Sequence, residues 1–131
     1  MFKKLFTPKE ANQKLAHVKE IVDEILGKGQ KLRALLQGNQ DEATSLECQA
    51  LSEEVESLMG ELEEMGCFYK DWNFEIGLVD FPTIIEGEET FLCWRSDENE
   101  ILWYHSLDDG YAGRRPLPAE WLLGDILKDL K

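Results

Sequence analysis

The sequence predicts an α+β fold: a long N-terminal antiparallel helical hairpin over residues 7–66, a small antiparallel β-sheet over 67–117, and a C-terminal helix over 118–131. Three observations carry that reading. Up to Gly66, apolar residues recur at alternating steps of four and three, the spacing by which two helices share a seam. After Gly66 come short aromatic and β-branched runs divided by turn residues. The helical halves also carry opposite charge, eight basic and four acidic side chains in residues 1–37 against none and nine in residues 38–66. At 131 residues, one domain accommodates all of it.

The first helix begins where Thr7-Pro8-Lys9-Glu10 combines a hydroxyl N-cap, a proline at the first helical position and a capping-box glutamate. Ala11, Leu15, Val18, Val22, Ile25, Gly29, Leu32 and Leu36 form its seam. The polar stretch 37–41 is the connection, and Thr44, Cys48, Leu51, Val55, Leu58, Leu62 and Met65 form the second seam, closed by Gly66 as C-cap. Antiparallel pairing sets Ile25 beside Leu51, Leu15 beside Leu62, and Gly29 facing Cys48. Gly29, with Gly27, reads as a flexible joint or local kink, because glycine weakens a helix interior. Ile21, Leu26 and Leu35 lie off the seam and require another surface: the C-terminal half, a second copy of the protein, or both. A coiled-coil-like hairpin in a homodimer is therefore one expectation.

In the β-rich half, residues 90–95 and 100–105 flank the polar connection 96–99 and predict a hairpin. Its register sets Trp94 opposite Ile101, Cys93 opposite Leu102, Leu92 opposite Trp103 and Thr90 opposite His105. Both faces of this ribbon are apolar, so both are expected to be covered. Residues 67–69, 74–79 and 81–85 extend the sheet, and the tail, apolar along one helical face, is a candidate lid.

Charge narrows the partners. With 27 acidic and 14 basic side chains and a net charge of -13, the chain is expected to avoid nucleic acid and anionic membranes. Cys48, Cys67 and Cys93 form no CxxC pair and read as small buried residues of a reduced, cytoplasmic protein. The start, MFKKLFTPKE, has no apolar run long enough for a signal peptide or a membrane span.

Several segments in order point to a family. Phe6-Thr7 with Glu10-Ala11-Asn12, then Gly77-Leu78-Val79-Asp80-Phe81-Pro82, Cys93-Trp94-Arg95, His105, and Gly110-Tyr111-Ala112-Gly113-Arg114-Arg115-Pro116-Leu117 together resemble the uncharacterised bacterial family catalogued as domain of unknown function 2203. The segment between Lys70-Asp71 and Gly77 is longer than the family pattern, and the tail after Leu117 looks like an extension. That family has no established activity. The resemblance implies a fold and a set of positions without a reaction.

Those positions allow three function classes. The residues favour a protein-interaction or oligomerisation module in which arginines clamp carboxylates internally, with a homodimer or another protein as partner. A binder of a small anionic ligand would use Arg114 or Arg115, with Asp80, Trp94, Arg95, Trp103 and His105 as the other candidates. An enzyme would use His105 with an acidic partner, Asp108 being nearest in the chain. Histidine and aspartate at a strand end more often satisfy each other or the turn, and paired tryptophans on strands are more often core. No metal ligand spacing, P-loop or GxGxxG pattern is present, so neither a metal nor a cofactor is expected. Pro116 holds Arg115 extended, which sends Arg114 and Arg115 to opposite sides and gives them different jobs. One is expected to face Asp80 and His105, the other the acidic second helix or a surface carboxylate.

Overall fold

A computed structural model describes residues 2–121. Helix α1 (Pro8–Leu36) starts on the expected capping box: the Thr7 side chain accepts from the Glu10 N–H, and the Glu10 carboxylate accepts from the Thr7 N–H. Helix α2 (Glu42–Met65) is capped by Asp41 and ends at Gly66, whose φ of 98° is the left-handed conformation that a side chain resists. The helices run antiparallel, and the charge asymmetry becomes contact in the Lys28–Glu54 and Lys31–Glu47 pairs.

Five strands follow: β1 (Phe68–Tyr69), β2 (Leu78–Ile85), β3 (Glu88–Arg95), β4 (Trp103–Ser106) and β5 (Arg115–Pro116), hydrogen-bonded in that order as one antiparallel sheet. Glu86 and Gly87, both with positive φ, make the tight connection between β2 and β3. The architecture is α+β. Ala119 to Trp121 are helical, and the remainder of the expected C-terminal helix lies outside the described residues. No helix among the described residues is long and apolar enough to cross a membrane.

Alternation along the strands decides what meets the hairpin. Val79, Phe81, Leu92 and Trp94 point to the helices and share one core with Val18, Ile21, Val22, Ile25 and Leu62. Ile21 is buried there and Leu26 packs against it, so the sheet supplies the second surface for these two off-seam residues, while Leu35 lies outside this core.

Three expectations change. Residues 74–76 are not strand: the Asp71 carboxylate accepts from the N–H groups of Asn73, Glu75 and Ile76, and Phe74 adopts a φ of 57°. Gly29 faces the Phe74 ring rather than Cys48, and a Cβ there would land within the ring; α1 runs unbroken through Gly27 and Gly29. The β3–β4 register is displaced by one residue, pairing Cys93 with Trp103, Leu92 with Tyr104 and Phe91 with His105. A tertiary contact accompanies the shift: the Asn12 side chain accepts from the N–H of Ile101 at 2.7 Å and donates to its carbonyl at 3.3 Å, and the ladder begins three residues later than expected, at Trp103.

Candidate functional site

The register places a polar group on the sheet face turned away from the hairpin. Asp80 on β2 pairs with Cys93 on β3, and His105 on β4 lies diagonally from Cys93. All three are buried, at 4%, 1% and 3% exposure. His105 donates from Nδ1 to the Ser106 carbonyl at 2.7 Å, and its Nε2 lies 3.0 Å from Asp80 Oδ1. Burial opposes a charge on the ring. Hydrogen bonds with the Asp80 carboxylate, the Cys93 thiol and the Ser106 carbonyl outweigh it and push His105 up to about 10. At neutral pH this imidazolium has both nitrogens engaged and no lone pair free for general base work.

Above this group lies a cavity of about 220 Å³, walled by Phe91, Leu107, Gly110 and Tyr111, with Lys70 on its border. The Lys70 ammonium sits 5.8 and 5.7 Å from the Phe68 and Phe91 ring centres. Among the described residues it has no carboxylate partner. Tyr111 is held from behind: Arg95 donates to its hydroxyl, and the Arg114 guanidinium lies 5.1 Å from its ring centre.

The two arginines diverge. Arg114, its side chain 10% exposed, reaches Glu98 at 2.8 Å and the Cys93 carbonyl at 3.1 Å, and stacks on Trp103 at 4.7 Å. Arg115 is exposed, 3.8 Å from Asp109, and borders a separate pocket of about 280 Å³ with Glu86, Glu88, Thr90, Tyr104 and Ser106. Arg114 is the internal stitch, and neither arginine has Asp80, His105 or the second helix as its ion-pair partner. Of the two candidates for an anion-binding role, Arg114 is occupied by Glu98 and the Cys93 carbonyl, and Arg115 is the one at a pocket, which it shares with Glu86 and Glu88.

The remaining candidates separate by face. Asp108 is exposed in the turn, and the acidic partner of His105 is Asp80, two strands away. Trp94 belongs to the hairpin-side core, where its Nε1 donates to the Glu98 carbonyl. Arg95 is tied to Asp97 and Tyr111, and those hydrogen bonds hold it more basic than an ordinary arginine. Trp103 lies on the outer face under Arg114. Cys93, Lys70 and Tyr111 were not among the candidates. One signal pointed to them: a single carboxylate interrupts the apolar run of β2, and a buried carboxylate on a strand needs partners on the next one.

No curated protein and no solved structure matches the chain. The profile of a family described as an uncharacterized conserved protein (DUF2203) matches residues 4–117, a span that takes in both helices, all five strands and every residue lining the cavity, and the chain belongs to that family.

Proposed function

We propose that the protein binds a small anion of the carboxylate or phosphate class in the outer-face cavity, with Lys70 as the counter-charge. The observation that carries this reading is the Lys70 ammonium beside a concave pocket, with no ion-pair partner of its own among the described residues, the Asp80 carboxylate in that pocket being engaged by His105. In a chain with 27 acidic side chains, an ammonium at a cavity mouth without an ion-pair partner among the described residues gives that mouth a local positive charge. The pocket is smaller than the roughly 300–1,000 Å³ that drug-sized ligands occupy, which favours an ion or a short dicarboxylate. The chain's net negative charge opposes approach at long range, but at physiological salt that field decays over about 8 Å and the local ammonium dominates.

Thermal unfolding at low salt against phosphate, succinate and citrate tests the proposal. At least one anion should raise the midpoint, by an amount corresponding to about 2.7 kcal/mol at a hundredfold excess over its dissociation constant. Lys70→Ala should abolish the shift and Lys70→Arg should keep part of it. No shift with any of the three, or the same shift in Lys70→Ala, overturns it.

A second reading is favoured by a separate observation. Leu36 and Leu46 flank the α1–α2 connection at 57% and 62% exposure, and Trp72, 67% exposed, sits in the loop that Arg33 ties to α1 one turn from Leu36. Apolar side chains gathered at one end support self-association through the hairpin tip. A monomer mass by light scattering at micromolar concentration overturns that reading.

A further inference from the structure

We infer that Asp80, Cys93 and His105 form a site for a divalent transition metal ion of the zinc class, on the floor of the cavity. The inference goes beyond the anion reading and does not depend on it. Each residue offers one donor atom, a carboxylate oxygen, a sulfur and a ring nitrogen, and these atoms all lie within 4.8 Å of one another. They come from three adjacent strands of one sheet, so the backbone fixes their spacing.

The arrangement converges and does not form a chain. A nucleophilic triad needs one imidazole nitrogen for the acid and the other for the nucleophile. Here Nδ1 is committed to the Ser106 carbonyl, which leaves only the Nε2 side for both Asp80 and Cys93. That same Nδ1–H···O=C bond is what orients a metal-ligating histidine and selects Nε2 as its ligand atom. With bonds of about 2.0–2.2 Å to nitrogen and oxygen, tetrahedral geometry sets N···O at roughly 3.3 Å. The 3.0 Å separation therefore needs to open by only a few tenths of an ångström.

Ligand chemistry selects the ion. A thiolate, an imidazole and a carboxylate suit zinc, cobalt or iron and do not suit calcium or magnesium, which take oxygen ligands. Binding displaces the His105 Nε2 proton and the Cys93 thiol proton to solvent, after which thiolate and carboxylate together balance the charge of a divalent ion. Three protein ligands with a cavity beside them leave the fourth position for water or a small anion, the pattern of open metal sites. Ionic groups on a strand face that carry no load for the hairpin core also fit a ligand role better than a packing role.

The test uses the full chain, stripped by a chelator and titrated with cobalt(II). The expected result is one equivalent bound, with visible bands of low-symmetry cobalt and a thiolate-to-cobalt charge-transfer band in the near ultraviolet, both lost on adding zinc. Cys93→Ser, nearly isosteric, should remove the charge-transfer band, whereas Cys48→Ser, at the buried thiol on α2, should keep it. Lys70→Ala should bind cobalt like the parent, which separates failure of this proposal from failure of the anion reading. Absence of cobalt bands in the folded parent protein, or an unchanged charge-transfer band in Cys93→Ser, overturns the site and leaves a buried ion pair beside a thiol.

Discussion

At the centre of the sheet, the side chains of its two faces are both removed from water and differ in what removes them. On the hairpin side, Val79, Phe81, Leu92 and Trp94 are at most 1% exposed because two long helices lie over them. On the other side, Asp80, Cys93 and His105 are at most 4% exposed beneath a thin cover, in which Leu107 and Tyr111 are themselves 46% and 38% exposed. Neighbouring residues of one strand thus meet opposite environments. Phe81 contributes apolar burial to a thick core, while Asp80 contributes a charge to a shallow pocket. The lesson is that the hairpin side supplies the stability that allows the outer face to hold polar groups next to a cavity.

That contrast predicts unequal costs at adjacent positions. Phe81→Ala removes a fully buried ring that meets Phe6 edge-on, and should cost about 3–5 kcal/mol. Asp80→Ala leaves the His105 Nε2–H without its partner, but the imidazole can shed that proton, so the loss should be only about 1–3 kcal/mol. Urea unfolding of both variants in chelator-treated protein measures the difference. A larger loss for Asp80→Ala would break the comparison and make the outer face a structural element.

The same contrast separates what the sequence disclosed from what it withheld. Both helices follow from signals within a few residues of each boundary: the Thr7 and Glu10 box, the seam spacing, and Gly66. His105 and Asp80 were each identifiable as candidates, but their pairing was not, because it depends on register. A slip of one residue turns every side chain of a strand to the other face. In the expected register His105 stands opposite Thr90, on the hairpin side; opposite Phe91 it joins Asp80 and Cys93. Just before that strand the Ile101 backbone is held by Asn12, which is 89 residues away in the chain and lies on a different element, a contact no local pattern reveals. The Phe74 turn was hidden for a similar reason. Its aromatic and β-branched neighbours have strand propensity, and the Asp71 side chain overrides it by taking three backbone N–H groups.

A smaller effect distinguishes the adjacent arginines, which sort a buried charge from an exposed one. Arg114→Ala should cost about 1.5–3 kcal/mol, because it leaves the largely buried Glu98 carboxylate and the Cys93 carbonyl without a charged donor. Arg115→Ala should cost less than about 0.5 kcal/mol, since its 3.8 Å contact with Asp109 is solvated. Thermal unfolding of the two variants sharpens the comparison if only Arg114→Ala lowers the midpoint by several degrees. Equal shifts would show that the buried position of Arg114 confers no advantage.

The smallest effect comes from a charge on the hairpin side, where carboxylates sit at the surface. Glu10 at the start of α1 is held below the usual carboxylate range, first by its hydrogen bond from the Thr7 N–H, against an opposing effect of burial, with further lowering from Lys4. A carboxylate whose folded pKa is depressed contributes stability that is fully present above its unfolded value near 4.5 and disappears as pH falls through the folded value. Glu10→Gln keeps the reciprocal cap geometry but carries no charge for the helix dipole or Lys4. The parent should therefore melt a degree or two above Glu10→Gln at pH 7, and the gap should close as the pH drops below about 4. A gap that persists at low pH would mean that the carboxylate acts through its shape alone. In that case the Glu10 charge adds nothing to the start of α1, and the hydrogen-bonding shape of the capping box carries the whole effect.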